Sequence, residues 1–232
     1  TYVIAAQPQL YDLSAMSDDD YFLNEKNPEI LFTYGYYLVS YYAWLAKCNF
    51  PISDDLQALY GDNDWRLTHF FYKRGAVYTA QKSETSGTTG IYGYAFRTAE
   101  AYLNRAEAYA EKGDKDKALQ DLKTIREKRL KVYEEVQAVT KEDVIRRVRE
   151  ERRRELSFEF HRWFDLRRWD RPRIEHTFTP DIKQPDVVEK YVLEKDDPAY
   201  TLPLPRSVVE YDPTLVDNPR PQRENQNVTG EN

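Results

Sequence analysis

Between Thr140 and Trp169 the chain puts charge where a helix ordinarily needs a core. Steps of three and four residues from Val144 select Val148, Glu151, Glu155, Phe158 and Arg162, positions that share one face of an α-helix. The valines and the phenylalanine on that stripe call for burial, so the charged groups beside them are carried inside too. A buried charge must be paired and hydrogen-bonded or it costs several kcal/mol. Nearby candidates for pairing are Arg152, Arg154, Asp165 and Arg168. Glu159 with Arg162, Arg162 with Asp165, and Asp165 with Arg168 all stand at i,i+3 spacing. Glu151, Glu155, Glu159, Arg162, Asp165 and Arg168 therefore read as a structural network fixing a bend between two helices.

Two carboxylates one turn apart also suit a glycosidase acid and nucleophile. The arginines around Glu151 and Glu155 argue against it, because they lower both pKa values whereas a general acid needs one raised. No catalytic residue is expected. His69, His161 and His176 lack metal-ligand spacing, and the acids at Asp18-Asp19-Asp20 and Asp62-x-Asp64 lack the closing Glu of a calcium loop. There is no Gly-rich phosphate loop and no nucleophile triad, so neither a metal nor a cofactor is expected.

Charge and composition narrow the classes further. The formal charge is −6, and the eleven arginines between Arg146 and Arg173 are interleaved with six acids. That pattern is laced ion pairing and not a phosphate-binding face, so a nucleic-acid partner is not expected. Cys48 is the single cysteine, which excludes an intrachain disulfide and a CxxC site. No apolar run approaches the ~20 residues needed to span a bilayer. The opening TYVIAAQPQL has neither a charged nor an apolar leader region.

The clearest elements lie in the middle. Ala99, Tyr102, Leu103, Ala106 and Ala110 form one apolar stripe of a helix over 97–112; Gly113-Asp114 breaks it, and a second helix from Lys115 carries Ala118, Leu119, Leu122 and Ile125. This is one tetratricopeptide-like hairpin, which cannot bury its face without neighbours. Thr140 with Asp143 predicts an N-cap, followed by a long helix from Lys141 to about Phe160, a break before His161 and a shorter piece to Trp169. Asn27-Pro28-Glu29 reads as a helix start, and Ile30 to Trp44 as a buried helix in preference to a strand pair. Residues 83–90 read as a loop. From Phe178 onward the Pro- and Asp-rich tail is expected to wrap extended over the helices with little regular structure of its own.

The segment Glu151 to Trp169, ERRRELSFEFHRWFDLRRW, resembles the signature of the SusD/RagB family of nutrient-binding outer-membrane lipoproteins. Glu155-Leu156, Phe158-Glu159, Arg162-Trp163, Asp165-Leu166 and Arg168 carry the match. Asp64-Trp65-Arg66, Arg97-Thr-Ala-Glu100 with Tyr102-Leu103 and Ala106-Glu107-Ala108, Leu202-Pro-Leu-Pro205 and Asn218-Pro219 are similar to other family pieces in the same order. The resemblance covers about Asn27 to Arg220. Phe160 stands where the family often has Gly, and Asp217 where it has Gln. Family members are much longer and begin with a lipidated cysteine, so the chain reads as a C-terminal part.

The resemblance implies a mainly α fold of tetratricopeptide-like hairpins with long irregular loops and an extended C-terminal tail. It divides the chain into a loop-rich, ligand-facing region 1–96, a hairpin with signature helices at 97–172, and a wrapping tail at 173–232. It also implies a glycan-binding receptor at the surface of the outer membrane of Bacteroidetes, held there by a lipid anchor absent from this chain. Such a receptor delivers oligosaccharide to a SusC-like TonB-dependent transporter. A peptide-binding RagB-type receptor and a tetratricopeptide-type adaptor are the alternatives. For ligand contact, the 19 Tyr and 4 Trp supply rings that stack on sugar faces. Trp65, Tyr60, Tyr78, Tyr92 and Tyr94 sit near loop composition, with Asp62 and Asn63 as partners for hydroxyls; for any single one of these the favoured alternative is packing beneath a loop as satellite core. Trp163 and Trp169 are expected in the core. Tyr34, Tyr36, Tyr37, Tyr41, Tyr42 and Trp44 are too many for one helix face, so some are exposed or face a partner.

Overall fold

The computed structural model describes residues 1–17, 20–33, 51–75, 77–82, 95–178, 187–218 and 226–229. They form two compact units, residues 1–161 and 162–232. The first unit begins with short pieces: α1 (Tyr2–Ala6), β1 (Ile30–Thr33), α2 (Asp54–Gln57), α3 (Arg66–His69), the hairpin β2 (Phe71–Arg74)–β3 (Val77–Ala80), and β4 (Ala95–Arg97). Its body is α4 (Thr98–Glu111), α5 (Lys115–Arg126) and α6 (Lys141–Glu155).

The hairpin follows from its pattern. Ala99, Tyr102, Leu103, Ala106 and Ala110 are buried on α4, and Ala118, Leu122 and Ile125 on α5. Small alanines let the two axes approach closely. Val144 and Val148 of α6 and Ile4 of α1 complete this core, and each fully buried branched aliphatic contributes about 1.5–3 kcal/mol. A second core gathers Leu13, Met16, Phe22, Leu23, Ile52, Leu56, Tyr60, Phe70 and Phe71. Helix α6 begins with a complete capping box: Asp143 N–H donates to Thr140 Oγ1 at 3.0 Å, and Thr140 N–H donates to the Asp143 carboxylate at 3.2 Å. The shorter Asp closes the box as Glu does elsewhere.

Two expectations are corrected. Ile30–Thr33 is a strand, antiparallel to β4 with Ile30 opposite Arg97 and Thr33 opposite Ala95; residues 34–44 lie outside the described residues. The turn before it explains the difference. The Asn27 amide accepts from Glu29 N–H and donates to Phe22 O, an Asx turn that delivers an extended chain instead of a helix. The long helix stops at Glu155, five residues early. Phe158 (φ 60°) and Phe160 (φ 65°) follow in the left-handed region, which costs a side-chain-bearing residue about 1–3 kcal/mol. Phe160, where the resemblance places a frequent glycine, thus keeps a glycine-like backbone.

The second unit holds α7 (Arg162–Arg168), α8 (Arg206–Tyr211) and a three-stranded antiparallel sheet. Its strands are β5 (Ile174–Phe178), β6 (Val187–Leu193) and β7 (Gln226–Thr229), in the order β5–β6–β7. The tail is therefore more regular than its composition suggested, because β5 and β6 carry β-branched residues that pair despite the flanking prolines. Trp163 and Trp169 are half-buried and not core residues. Trp163 stacks on Tyr200 at 5.2 Å, and the Arg168 guanidinium lies 4.7 Å over the Trp169 ring.

Gly113 ends α4 at φ +81°, with space on all sides of a would-be Cβ. Gly113→Ala therefore isolates the backbone term. It should lower unfolding free energy by about 1 kcal/mol, read as a fall in urea midpoint with unchanged slope.

Candidate functional site

The charged stripe of α6 becomes the centre of a buried network to which nearly every element of the first unit contributes. Glu29 comes from the turn before β1, Asp64 and Arg66 from the start of α3, and Lys82 from the end of the β2–β3 hairpin. Arg97 joins β4 to α4, Arg129 follows α5, and α6 with the turn after it supplies Glu151, Glu155 and Glu159. All nine are buried.

Glu155 lies in the middle and accepts from three guanidiniums. Arg129 reaches its two oxygens at 2.9 and 3.0 Å, Arg97 at 3.0 Å and Arg66 at 3.1 Å. Each arginine has a second carboxylate. Arg66 binds Glu151 at 2.6 Å and Asp64 at 2.8 Å; Arg97 binds Glu29 at 2.6 Å and Glu159 at 2.7 Å; Arg129 binds Glu29. Glu151 also accepts from Arg126 at 3.2 Å and Arg154 at 2.9 Å. Lys82 donates to Glu155 O and the Glu159 carboxylate, and its ammonium lies 4.0 Å over the Phe70 ring. The Phe22 face covers Arg97, Arg129 and Lys82 at 4.9 to 5.5 Å, a cation–π cover on the cationic side.

The electrostatics follow. Burial alone would raise the Glu155 pKa, but Arg129 and Arg97 hold it well below the carboxylate range. Glu151 is similarly opposed by burial and brought to about 2 by Arg66, Arg154 and Arg126. Glu159 is lowered by Arg97 and Lys82 against its burial. Burial pushes Lys82 down to about 8, against the pull of Glu159. None of the three α6-region carboxylates holds a proton near neutral pH, so none is suited to be a general acid.

The sequence therefore identified the acids and two local pairs, Glu151 with Arg154 and Asp165 with Arg168, but not the distant partners. Glu159 is held by Lys82 and Arg97, Asp165 pairs locally with Arg168 at 3.0 Å, and Arg162 lies 6.0 Å from the Trp169 ring centre. Glu29, Arg66, Lys82, Arg97 and Arg129 lie far away in sequence. The Asp64-Trp65-Arg66 and Arg97 pieces were visible only as family-like fragments, and Glu29, Lys82 and Arg129 had no local signal.

The ligand candidates separate on inspection. Tyr60 is 7% exposed and belongs to the second core; its hydroxyl donates to Arg154 O at 2.8 Å. It is a structural tyrosine and not a ligand platform. Trp65 is half-buried, with Lys131 5.1 Å over its ring and His69 5.8 Å away. Tyr78 is half-buried beneath Lys73 at 5.6 Å. Asp62 is exposed, whereas Asp64 is committed to Arg66 and so is no calcium ligand. Asn63 clamps the loop after α5: its amide donates to Val132 O at 2.8 Å and Glu134 Oε1 at 2.9 Å, and accepts from Val132 N–H at 2.9 Å. Tyr92, Tyr94, Asp18 and Asp19, and the aromatics from Tyr34 to Trp44, lie outside the described residues. Asn63 borders a cleft of about 190 Å³ that is also lined by Leu59, Leu130, Arg126, Glu134 and Arg154.

Comparison with known proteins accounts for this architecture. The family model described as the SusD family matches residues 30–220, and the chain belongs to that family. A SusD superfamily protein from Bacteroides vulgatus is similar at 20% identity and TM-score 0.60, covering 95% of this chain and 52% of its own. A SusD-like carbohydrate binding protein from the same organism matches at 20% identity and TM-score 0.56, covering 84% and 45%. A putative sugar binding protein, also from Bacteroides vulgatus, matches at 21% identity and TM-score 0.55, covering 83% and 44%. The chain thus spans about half the length of these structures. A sequence comparison with curated proteins finds no match.

Two outcomes follow from the network. Glu155→Gln leaves three buried guanidiniums short of a counter-charge and should cost about 3–5 kcal/mol of stability, whereas Glu127→Gln, which removes an exposed 3.7 Å pair, should leave the denaturation midpoint unchanged. The depressed carboxylates stabilise the fold above their ordinary pKa of 4.5 and lose that contribution as pH falls towards about 2. The midpoint should hold from pH 7 to 5 and then fall, and Glu151→Gln, less stable at pH 7, should show a shallower acid limb.

Proposed function

We propose that the chain is part of a surface glycan-binding protein for nutrient uptake. The observation that carries the reading is membership of the SusD family over residues 30–220, supported by similar structures described as carbohydrate- and sugar-binding proteins. The loop-rich region 1–96 takes the ligand-facing role, the helices of 97–172 serve as scaffold, and the tail from 173 completes the second unit. The protein sits at the outer-membrane surface through a lipid anchor, and a SusC-like TonB-dependent transporter receives the oligosaccharide. No helix among the described residues is long and apolar enough to cross a membrane, which agrees with attachment of that kind.

The reading is of binding without turnover. The two acids best spaced for glycoside hydrolysis, Glu151 and Glu155, are sealed from solvent and saturated by arginines. They have no room for a sugar or an attacking water.

Calorimetric titration with polysaccharide digests tests it. Saturable binding with an unchanged product profile is expected. New products would favour an enzyme, and silence towards every glycan and peptide would reopen the case for the tetratricopeptide-type adaptor. Glu155→Ala should lower the melting temperature while the folded fraction still binds.

A further inference from the structure

We infer that the cleft beside Asn63 is a subsite for one neutral pyranose residue, gripped through two adjacent hydroxyls. This rests on the glycan-binding reading above and adds to it a place, where residues 59–64 of the ligand-facing region meet the scaffold helices, and a sugar class.

The cleft pairs unused donors with an unused acceptor. Arg154 spends Nε on Leu59 O at 2.7 Å and Nη1 on Glu151 at 2.9 Å. Its Nη2 makes no hydrogen bond among the described residues, the nearest paired oxygen being Glu150 Oε2 at 3.9 Å. Arg126 uses one N–H towards Glu151 at 3.2 Å and one towards Glu134 O at 3.3 Å; its Nε is buried, so each Nη keeps one N–H to offer. On the acceptor side, Glu134 gives Oε1 to Asn63, and its other oxygen accepts nothing among the described residues. Leu59 and Leu130 supply apolar lining.

These groups are held in place before any ligand arrives. Asn63 is tied to the loop after α5 through both its side chain and its carbonyl, which accepts from Lys131 N–H at 2.8 Å. Arg154 and Arg126 are anchored from behind by buried Glu151. Preorganised polar groups bind without a large ordering cost.

The chemistry selects the ligand. A hydroxyl both donates and accepts, so neighbouring hydroxyls suit a cleft lined by both a guanidinium, Arg154, and a carboxylate, Glu134. A uronate or phosphate would place its charge beside the Glu134 carboxylate, while much of the arginine charge is already opposed by Glu151. The volume of about 190 Å³ suits a single ring and not a stretch of polymer.

The test is calorimetric titration of the full chain with neutral gluco-, manno- and galacto-oligosaccharides and with oligogalacturonates. A neutral oligosaccharide should bind, Glu134→Ala should weaken it on the order of tenfold, and Leu130→Trp should abolish binding by filling the cleft. Circular dichroism melts confirm folding, and if Leu130→Trp does not fold, Glu134→Ala decides alone. Neutral-sugar binding that ignores the folded variants overturns the subsite and leaves the glycan reading intact. Preference for oligogalacturonate overturns the sugar class. Absence of binding to every glycan removes the parent reading and the subsite with it.

Discussion

Glu155 and the three guanidiniums around it are the constraint on which the first unit depends. Taking a carboxylate out of water is worthwhile only when its partners are close and its lone pairs are filled. Here Arg66, Arg97 and Arg129 converge at about 3 Å, and each must also satisfy a second carboxylate. The arrangement therefore positions the turn before β1, the start of α3, the β4–α4 junction, the segment after α5 and the end of α6 together. Displacing any one of these elements strands a charge in a place water does not reach. Aliphatic packing between α4, α5 and α6 tolerates small shifts, but this network does not.

The same network accounts for the end of the long helix. Lys82 and Arg97 both donate to Glu155 O, and Lys82 reaches towards Ser157 O as well. Those carbonyls are taken from outside the helix, so the chain turns through Phe158 and Phe160 in left-handed conformations. Glu159 is thereby brought back to Arg97 and Lys82. The local strain at two phenylalanines accompanies several charge-assisted hydrogen bonds, which are the stronger kind.

On the proposed glycan-binding reading, function lies around this block and not inside it. Residues that a motif search would nominate for chemistry serve as fasteners, and Tyr60, which resembles a ligand aromatic by composition, is one of them. At the rim, Arg126, Arg154 and Glu134 keep hydrogen-bonding capacity among the described residues, which the proposed subsite would offer to a ligand. Rigidity behind and spare donors in front are the division of labour expected of a carrier scaffold.

Local periodicity alone determined the α4–α5 hairpin, the Gly113 break, the Thr140 capping box and the need to pair Glu151 and Glu155, because helical spacing, caps and burial demands are written in residues a few positions apart. The motif around Glu155 likewise carried the family. Apart from Arg154, one turn from Glu151, the tertiary structure alone decided which cations answer those carboxylates, since Arg66 stands 85 residues from Glu151 and Arg97 stands 58 from Glu155. It also decided that Ile30–Thr33 is a strand, that the tail builds a sheet and that Tyr60 is interior. Strand partners, ion partners and burial are relations between distant segments, and no local pattern of side chains encodes a distance across the fold.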